Sequence, residues 1–238
     1  RFDASRQPDE PQALEQKNRT QMWVSEARLS RPFFDKLGWV LGLSYIDNSS
    51  RQRRQSGISV NRTPETGVRN DVREFTAFGQ ITYALTPKFT ASAGARLSLS
   101  RLDGAGENVT QLAVAAGSAI TAVRKDVDFL PSVSLLYSPN NQLRLFARYS
   151  QGFRPGGLAV DGSFVRRYRH DRVNMWEAGL RLGDQGHPPI DATLAISHSR
   201  WRDIQADYID GNGFPSTANI GDGRITSLSA AISLRASD

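Results

Sequence analysis

The residues that could do covalent chemistry are few in this chain, and their spacing is wrong for it. Its histidines are His170, His187 and His198, and it has no cysteine. In "SHSRWRD", His198 stands between Ser197 and Ser199 with Asp203 close behind, the residue types of a serine-hydrolase triad. Neighbours in a strand point to opposite faces, so neither serine can meet the His198 ring. His198 is expected to face lipid or lumen without a partner. Metal ligation calls for a cluster of His, Cys or carboxylates at ligand spacing, and no segment offers one. "DGAGEN" (Asp103–Asn108) has the composition of a calcium loop but not its alternating ligand positions, and reads as a surface loop. The lack of cysteine excludes thiol nucleophiles, disulfide frameworks and Cys-based zinc sites. The chain therefore reads as no enzyme, with no metal and no cofactor.

What remains is arginine. Lys and Arg number 30 against 24 Asp and Glu, a net charge of +6. Arg96, Arg144, Arg148, Arg154 and Arg181 occupy polar positions inside alternating segments. Guanidinium groups bind anions well, so these five could line an anionic ligand path. The alternative is structural: they pair with carboxylates such as Asp126 or Asp128, or with lipid phosphates at a rim. The clusters "RQRR" (Arg51–Arg54) and "RRYRH" (Arg166–His170) could likewise meet lipopolysaccharide or stay solvated. A nucleic-acid partner is not expected, because no basic helix and no aromatic RNA-binding motif accompanies the charge.

The elements that must position these residues are strands. Mean hydropathy is -0.45, and no apolar run approaches the roughly 18 residues of a membrane helix. Neither observation bears on a β-barrel, where only alternate residues meet lipid. Alternation predicts about nine strands, at 20–30, 37–47, 71–85, 88–101, 125–137, 142–154, 172–183, 190–203 and 222–235. In the fourth, Phe89, Ala91, Ala93, Ala95, Leu97 and Leu99 share one face and Thr90, Ser92, Arg96 and Ser98 the other. Short turns ("RPFFDK", "TPK", "SPNNQ", "GDQGHPP") alternate with long connections at 48–70, 102–124, 155–171 and 204–221. That rhythm is the signature of an up-and-down barrel with short periplasmic turns and long outer loops. Phe89 to Leu99 is ten steps of about 3.4 Å, which at a tilt of about 45° spans roughly 24 Å of bilayer. Residues 109–122 read as a short helix within a loop, and 1–19 as an outer loop or strand lead-in. On "LRLFARYSQGFRPGG", Leu143, Leu145, Ala147, Tyr149 and Phe153 are placed toward lipid, and Arg144, Arg148 and Arg154 toward the lumen.

Several segments, in order, resemble the barrel of TonB-dependent outer-membrane receptors. "FARYSQGFRPGGL" (Phe146–Leu158) is similar to that family's "GFRpGG" strand and loop, carried here by Gly152, Phe153, Arg154, Pro155, Gly156 and Gly157. "EFTAFGQITYALTPKFTASAGARLS", "SEARLSRPFFDKLGWVLGLSYID", "MWEAGLRLG" and "SRWRDIQADYI…ANIGDGRITSL" resemble further family hairpins and strands. Ser227, Leu228 and Ser229 depart from the usual Gly, bulky residue and Glu. The resemblance implies an all-β antiparallel meander, part of a 22-stranded transmembrane barrel in a Gram-negative outer membrane. It also implies TonB as partner and a ferric siderophore or similar scarce solute as cargo, with outer-membrane lipid and lipopolysaccharide around the wall. A different outer-membrane barrel, porin or adhesin, is the alternative. No plug domain, TonB box or terminal aromatic strand is recognisable in the sequence. The chain is thus expected to be a partial barrel over 1–238, unable to close or transport alone, and exposed along its edges.

Overall fold

A computed structural model describes residues 2–3, 12–58, 63–117, 121–161, 164–183, 190–210 and 215–234. Nine long strands form one sheet: β2 (Gln12–Phe34), β3 (Leu37–Ile58), β4 (Thr63–Thr86), β5 (Phe89–Glu107), β6 (Thr121–Tyr137), β7 (Leu143–Arg154), β10 (Asp171–Leu182), β11 (Ile190–Arg202) and β14 (Gly223–Leu234), with the two-residue β1 (Phe2–Asp3) at one edge. Every strand pairs antiparallel with the next in this order. Two small hairpins interrupt the meander, β8 (Gly157–Asp161) with β9 (Phe164–Tyr168), and β12 (Gln205–Ile209) with β13 (Pro215–Asn219).

Register fixes the two faces. One row across the sheet reads Trp39, Ile81, Ala93, Val133, Tyr149, Trp176, His198 and Thr226. The row one residue along reads Gly38, Thr82, Ser92, Ser134, Arg148, Glu177, Ser197 and Ser227. Because the side-chain period is two, each strand carries this contrast through its membrane-facing part. The apolar face is bare: Val127, Phe129, Leu228 and Ile232 are all well over half exposed. A bare apolar surface of this extent fits lipid as its solvent.

The wall is taller than periodicity indicates. The long connection expected at 48–70 is mostly strand, since β3 runs to Ile58 and β4 starts at Thr63, and that expected at 102–124 is shortened at both ends, since β5 reaches Glu107 and β6 starts at Thr121. The outward positions of these extensions no longer form an unbroken apolar row, so alternation is weak there although the backbone pairing continues. Among the described residues of 109–122, Gln111–Ala115 is helical (α1). Residues 12–19, expected as an outer loop or strand lead-in, are part of β2 itself, and the "GDQGHPP" turn lies largely outside the described residues. A two-residue turn joins Phe34 to Leu37, with Asp35 at φ 55°, a left-handed conformation that Asp tolerates better than most residues.

On the inner face, two aromatic rings lie over glycines of neighbouring strands. Phe78 sits opposite Gly42, and Phe146 opposite Gly179. A Cβ at Gly179 would come within 2.6 Å of Phe146 Cζ and 2.5 Å of the Leu194 carbonyl oxygen. Gly179→Val is therefore expected to lose about 1–3 kcal/mol by overpacking, measured as a lower urea midpoint for refolding into lipid vesicles. An unchanged midpoint would mean that the ring has room to move.

Candidate functional site

The inner side of the wall is roofed by the two hairpins. β8–β9 lies on the upper inner face of β4, β5 and β6, where Leu158, Val160 and Val165 form a buried cluster with Val68, Leu102 and Ala122. This is the chain's water-shielded core, and it is built by a connection rather than by the transmembrane strands. Asn70 docks the hairpin as a backbone would: its amide donates to Leu158 O and accepts from Leu158 N, each at 2.9 Å. β12–β13 packs against β8 and β9 and reaches β3, where Arg54 Nη1 stands 3.6 Å from Asp210 Oδ2, both side chains buried.

One carboxylate ties these parts together. Asp171, 2% exposed at the start of β10, pairs with Arg154 and accepts from Trp201 Nε1 at 3.0 Å and the Gln205 backbone N–H at 3.2 Å. The Arg154 guanidinium also lies 5.2 Å over the Trp201 ring and donates to Gln205 O. Gln205 Nε2 in turn donates to Pro155 O at 2.9 Å and Arg169 O at 3.0 Å. Burial pushes the Asp171 carboxyl upward, but Arg154, the Gln205 N–H and the Trp201 indole together outweigh it and hold it below the ordinary value. Gly156 and Gly157 complete the corner, because side chains there would collide with Tyr168 and the backbone of Arg169 and His170. The Gly152–Gly157 segment is thus a joint that turns the wall into its roof.

The five arginines are held by this scaffold in different ways. Arg96 pairs with Glu74 at 3.3 Å, Arg148 with Glu177 at 3.3 Å, Arg154 with Asp171, and Arg181 with Asp191 at 2.6 Å. Arg144 differs, its Nε being buried without a hydrogen-bond partner among the described residues. Asp126 and Asp128, the carboxylates suggested by sequence, pair instead with Arg124 and Arg172. The basic clusters are internal rather than free: Arg51 and Arg53 clasp Glu107, Arg166 pairs with Asp161, and Arg169 with Asp203. His198 also has a partner after all, Thr226 Oγ1 at 2.9 Å, and its ring lies 6.0 Å from that of Trp176. The cross-strand register brings them together, which no local pattern could show.

A 600 Å³ cavity opens on the inner face, lined by Glu26, Arg28, Glu74, Phe78, Arg96 and Gln151 among others. Glu74 organises its floor, accepting from Thr76 Oγ1, Ser98 Oγ and Arg96. The cavity lies where β6 and β7 part: their ladder ends at Ser132 and Ser150, next to Pro131, which has no N–H to give. Phe153, expected toward lipid and on the Tyr149 face by the period of two, also borders this cavity at the gap. With β6 gone as a neighbour, the gap admits side chains from β7 and β10, and Arg172 reaches through to Asp128 at 2.5 Å.

The Arg51–Glu107–Arg53 clasp is also a pH-sensitive fastening. The hydrogen bond from Arg51 lowers the Glu107 carboxyl below its ordinary 4.5, against the opposing effect of burial, with Arg53 adding to the lowering. A lowered carboxyl contributes stability that is full above the unfolded value and lost as pH falls through the folded one. Hydrogen exchange at 51–54 and 104–107 is therefore expected to rise below about pH 4.5, and Glu107→Gln should remove that dependence. The arginines are half-exposed, so the effect on global stability is small.

A one-layer antiparallel wall, apolar outside and polar inside with its outer connections folded inward, is a segment of a large transmembrane β-barrel. The chain belongs to the family described as TonB dependent receptor-like, beta-barrel, which it matches over residues 2–235. Among solved structures it is similar to the ferric yersiniabactin uptake receptor FyuA from Yersinia pestis, with 16% identity, a TM-score of 0.71, and coverage of 94% of this chain and 34% of that one. The ferric citrate transporter FecA in its unliganded form matches at 15% identity and TM-score 0.66, over 93% of this chain and 33% of its own. The copper transporter OprC matches at 18% and 0.61, over 99% and 38%. At these identities the likeness is one of fold. The chain spans about a third of the length of each of these proteins.

Proposed function

We propose that this chain forms part of the wall of an outer-membrane receptor that takes up a scarce solute, energised through TonB, with an anionic iron chelate such as a ferric siderophore as the favoured cargo. The observation that carries the reading is the family match over residues 2–235 on a wall whose two faces are sorted for lipid and water. The named neighbours add support, since each handles a metal or its chelate. The inner face offers cations to an anion: Arg28 and Arg96 border the cavity, although each is paired there with a glutamate, Glu26 and Glu74, and Arg144 keeps an Nε without a hydrogen-bond partner among the described residues. Most of the other candidate arginines are already engaged by carboxylates, so a chelate would have to compete for them. Binding and passage are the whole of the assigned role, with no bond made or broken in the solute.

The test uses cells. A strain lacking the gene for this chain is grown on a panel of ferric siderophores, ferric citrate and haem as sole iron sources, with a TonB-deficient strain alongside. Loss of growth on one chelate in both strains supports the reading. Uptake that continues at full rate without TonB would instead identify a passive pore.

A further inference from the structure

We propose that the seam between β6 and β7 is a lateral gate in the wall, which closes when Asp128 passes from Arg172 to Arg154. The ladder of these two strands stops at Ser132 and Ser150. Beyond that point β6 still pairs with β5 as far up as Thr121, and β7 with β10 as far as Arg154. Phe129 and Val127 lie opposite Leu97 and Leu99, so the open stretch is at bilayer depth. Unpaired backbone is tolerated there only where protein covers it or it lines a water-filled cavity. The seam meets that condition, because the inner cavity reaches Ser132 and Gln151. On the lipid face, a 430 Å³ apolar groove begins at Val133 and Tyr149. An open seam joins cavity and groove; a closed one parts them.

The residues along the seam suit a closed register as well. Carrying the ladder upward sets Leu130 opposite Gly152, Phe129 opposite Phe153 and Asp128 opposite Arg154. Leu130 over Gly152 would repeat the inner-face pattern of Phe78 over Gly42 and Phe146 over Gly179. There is room for it, since even a Cβ at Gly152 would come no closer than 3.4 Å to Val173 Cγ1. Aromatic pairs and opposite charges directly across a ladder are stabilising. In the open seam the same groups are engaged elsewhere. Arg172, on the outward side with Trp176 by the period of two, crosses the gap to Asp128 at 2.5 Å, while Arg154 pairs with Asp171. Pro131 stands at the first step of the extension and brings no N–H to the ladder, which keeps the open state competitive. Closure sets Arg154 between Asp128 and Asp171 in one inward row, because Asp171 is already its ladder partner. The gate is thereby coupled to the joint that carries the roof. The inference rests on register and is independent of any solute being carried.

The chain has no cysteine, so disulfide trapping starts from a clean background. In the full protein in outer membranes, Phe129→Cys and Phe153→Cys form a seam pair that can link only when the gate closes. Val133→Cys with Tyr149→Cys, on the standing ladder, is the control that reports folding. Initial rates of linking under a fixed oxidant are read by peptide mass spectrometry. The control pair should link rapidly in every background, and the seam pair more slowly. Arg172→Gln, which frees Asp128, should speed the seam pair about fivefold, the effect of losing one partly exposed ion pair. Arg172→Lys should leave its rate near the starting value. A seam pair that never links while the control does would show a permanent opening, and one that links as fast as the control a permanently closed wall. Either result, or a seam rate unmoved by Arg172→Gln, would overturn the proposal.

Discussion

Ala93→Arg is expected to lower folding stability in a bilayer by about 2–4 kcal/mol, whereas Gln80→Arg should cost far less. Ala93 lies in the middle of the outward row from Phe89 to Leu99, where a guanidinium would face hydrocarbon. Gln80 belongs to the neighbouring strand, faces inward opposite Gly94, and borders the inner cavity. The two substitutions thus place the same charge at nearly the same depth on opposite sides of one layer. Urea-driven unfolding of the protein in lipid vesicles separates them. Equal costs would mean that the apolar face does not meet lipid.

Asp171→Ala should release the roof from the wall. The substitution leaves the Arg154 guanidinium, the Trp201 indole N–H and the Gln205 backbone N–H without their shared acceptor. Removing one partner from a largely buried ionic network costs about 3 kcal/mol, most of it from the groups left behind. That loss falls on the joint, because Arg154 ends β7 and Gln205 begins β12, while the ladders of β2 to β6 are untouched. The expected result is rapid protease cleavage and hydrogen exchange in 155–170 and 204–219, with the wall strands still protected. Acid should do the same to the native chain: the lowered Asp171 carboxyl stabilises above the ordinary 3.8, and that contribution fades as pH falls through the depressed value. Uniform exposure of the whole sheet would show instead that roof and wall unfold as one unit.

The nine wall strands were legible because one face of each meets lipid. That demand writes a period of two into the sequence, as in Phe89–Leu99 against Ser92–Ser98, and the short turns punctuate it. The family could be read from ordered motifs such as "GFRPGG" for a related reason: Gly156 and Gly157 are packed too closely for side chains, so their identity is fixed by local geometry. Above the membrane the pattern stops, since the outer face of β3, β4 and β5 meets water there while the β8–β9 hairpin covers Val68 and Leu102 on the inner face. Their height was therefore set by backbone pairing that leaves no mark on composition.

The sequence by itself determined the class of fold, the alternation of faces and the location of the turns, because these follow from each residue's own relation to lipid, water and backbone. The tertiary structure alone decided which charges meet. Arg54 and Asp210 are far apart in the chain, as are Arg51 and Glu107, and Asp128 and Arg172. It likewise placed β8–β9 over the inner face. Ion pairing depends on register and on the return path of the connections, both long-range properties. An arginine's residue type gives its charge but not its partner.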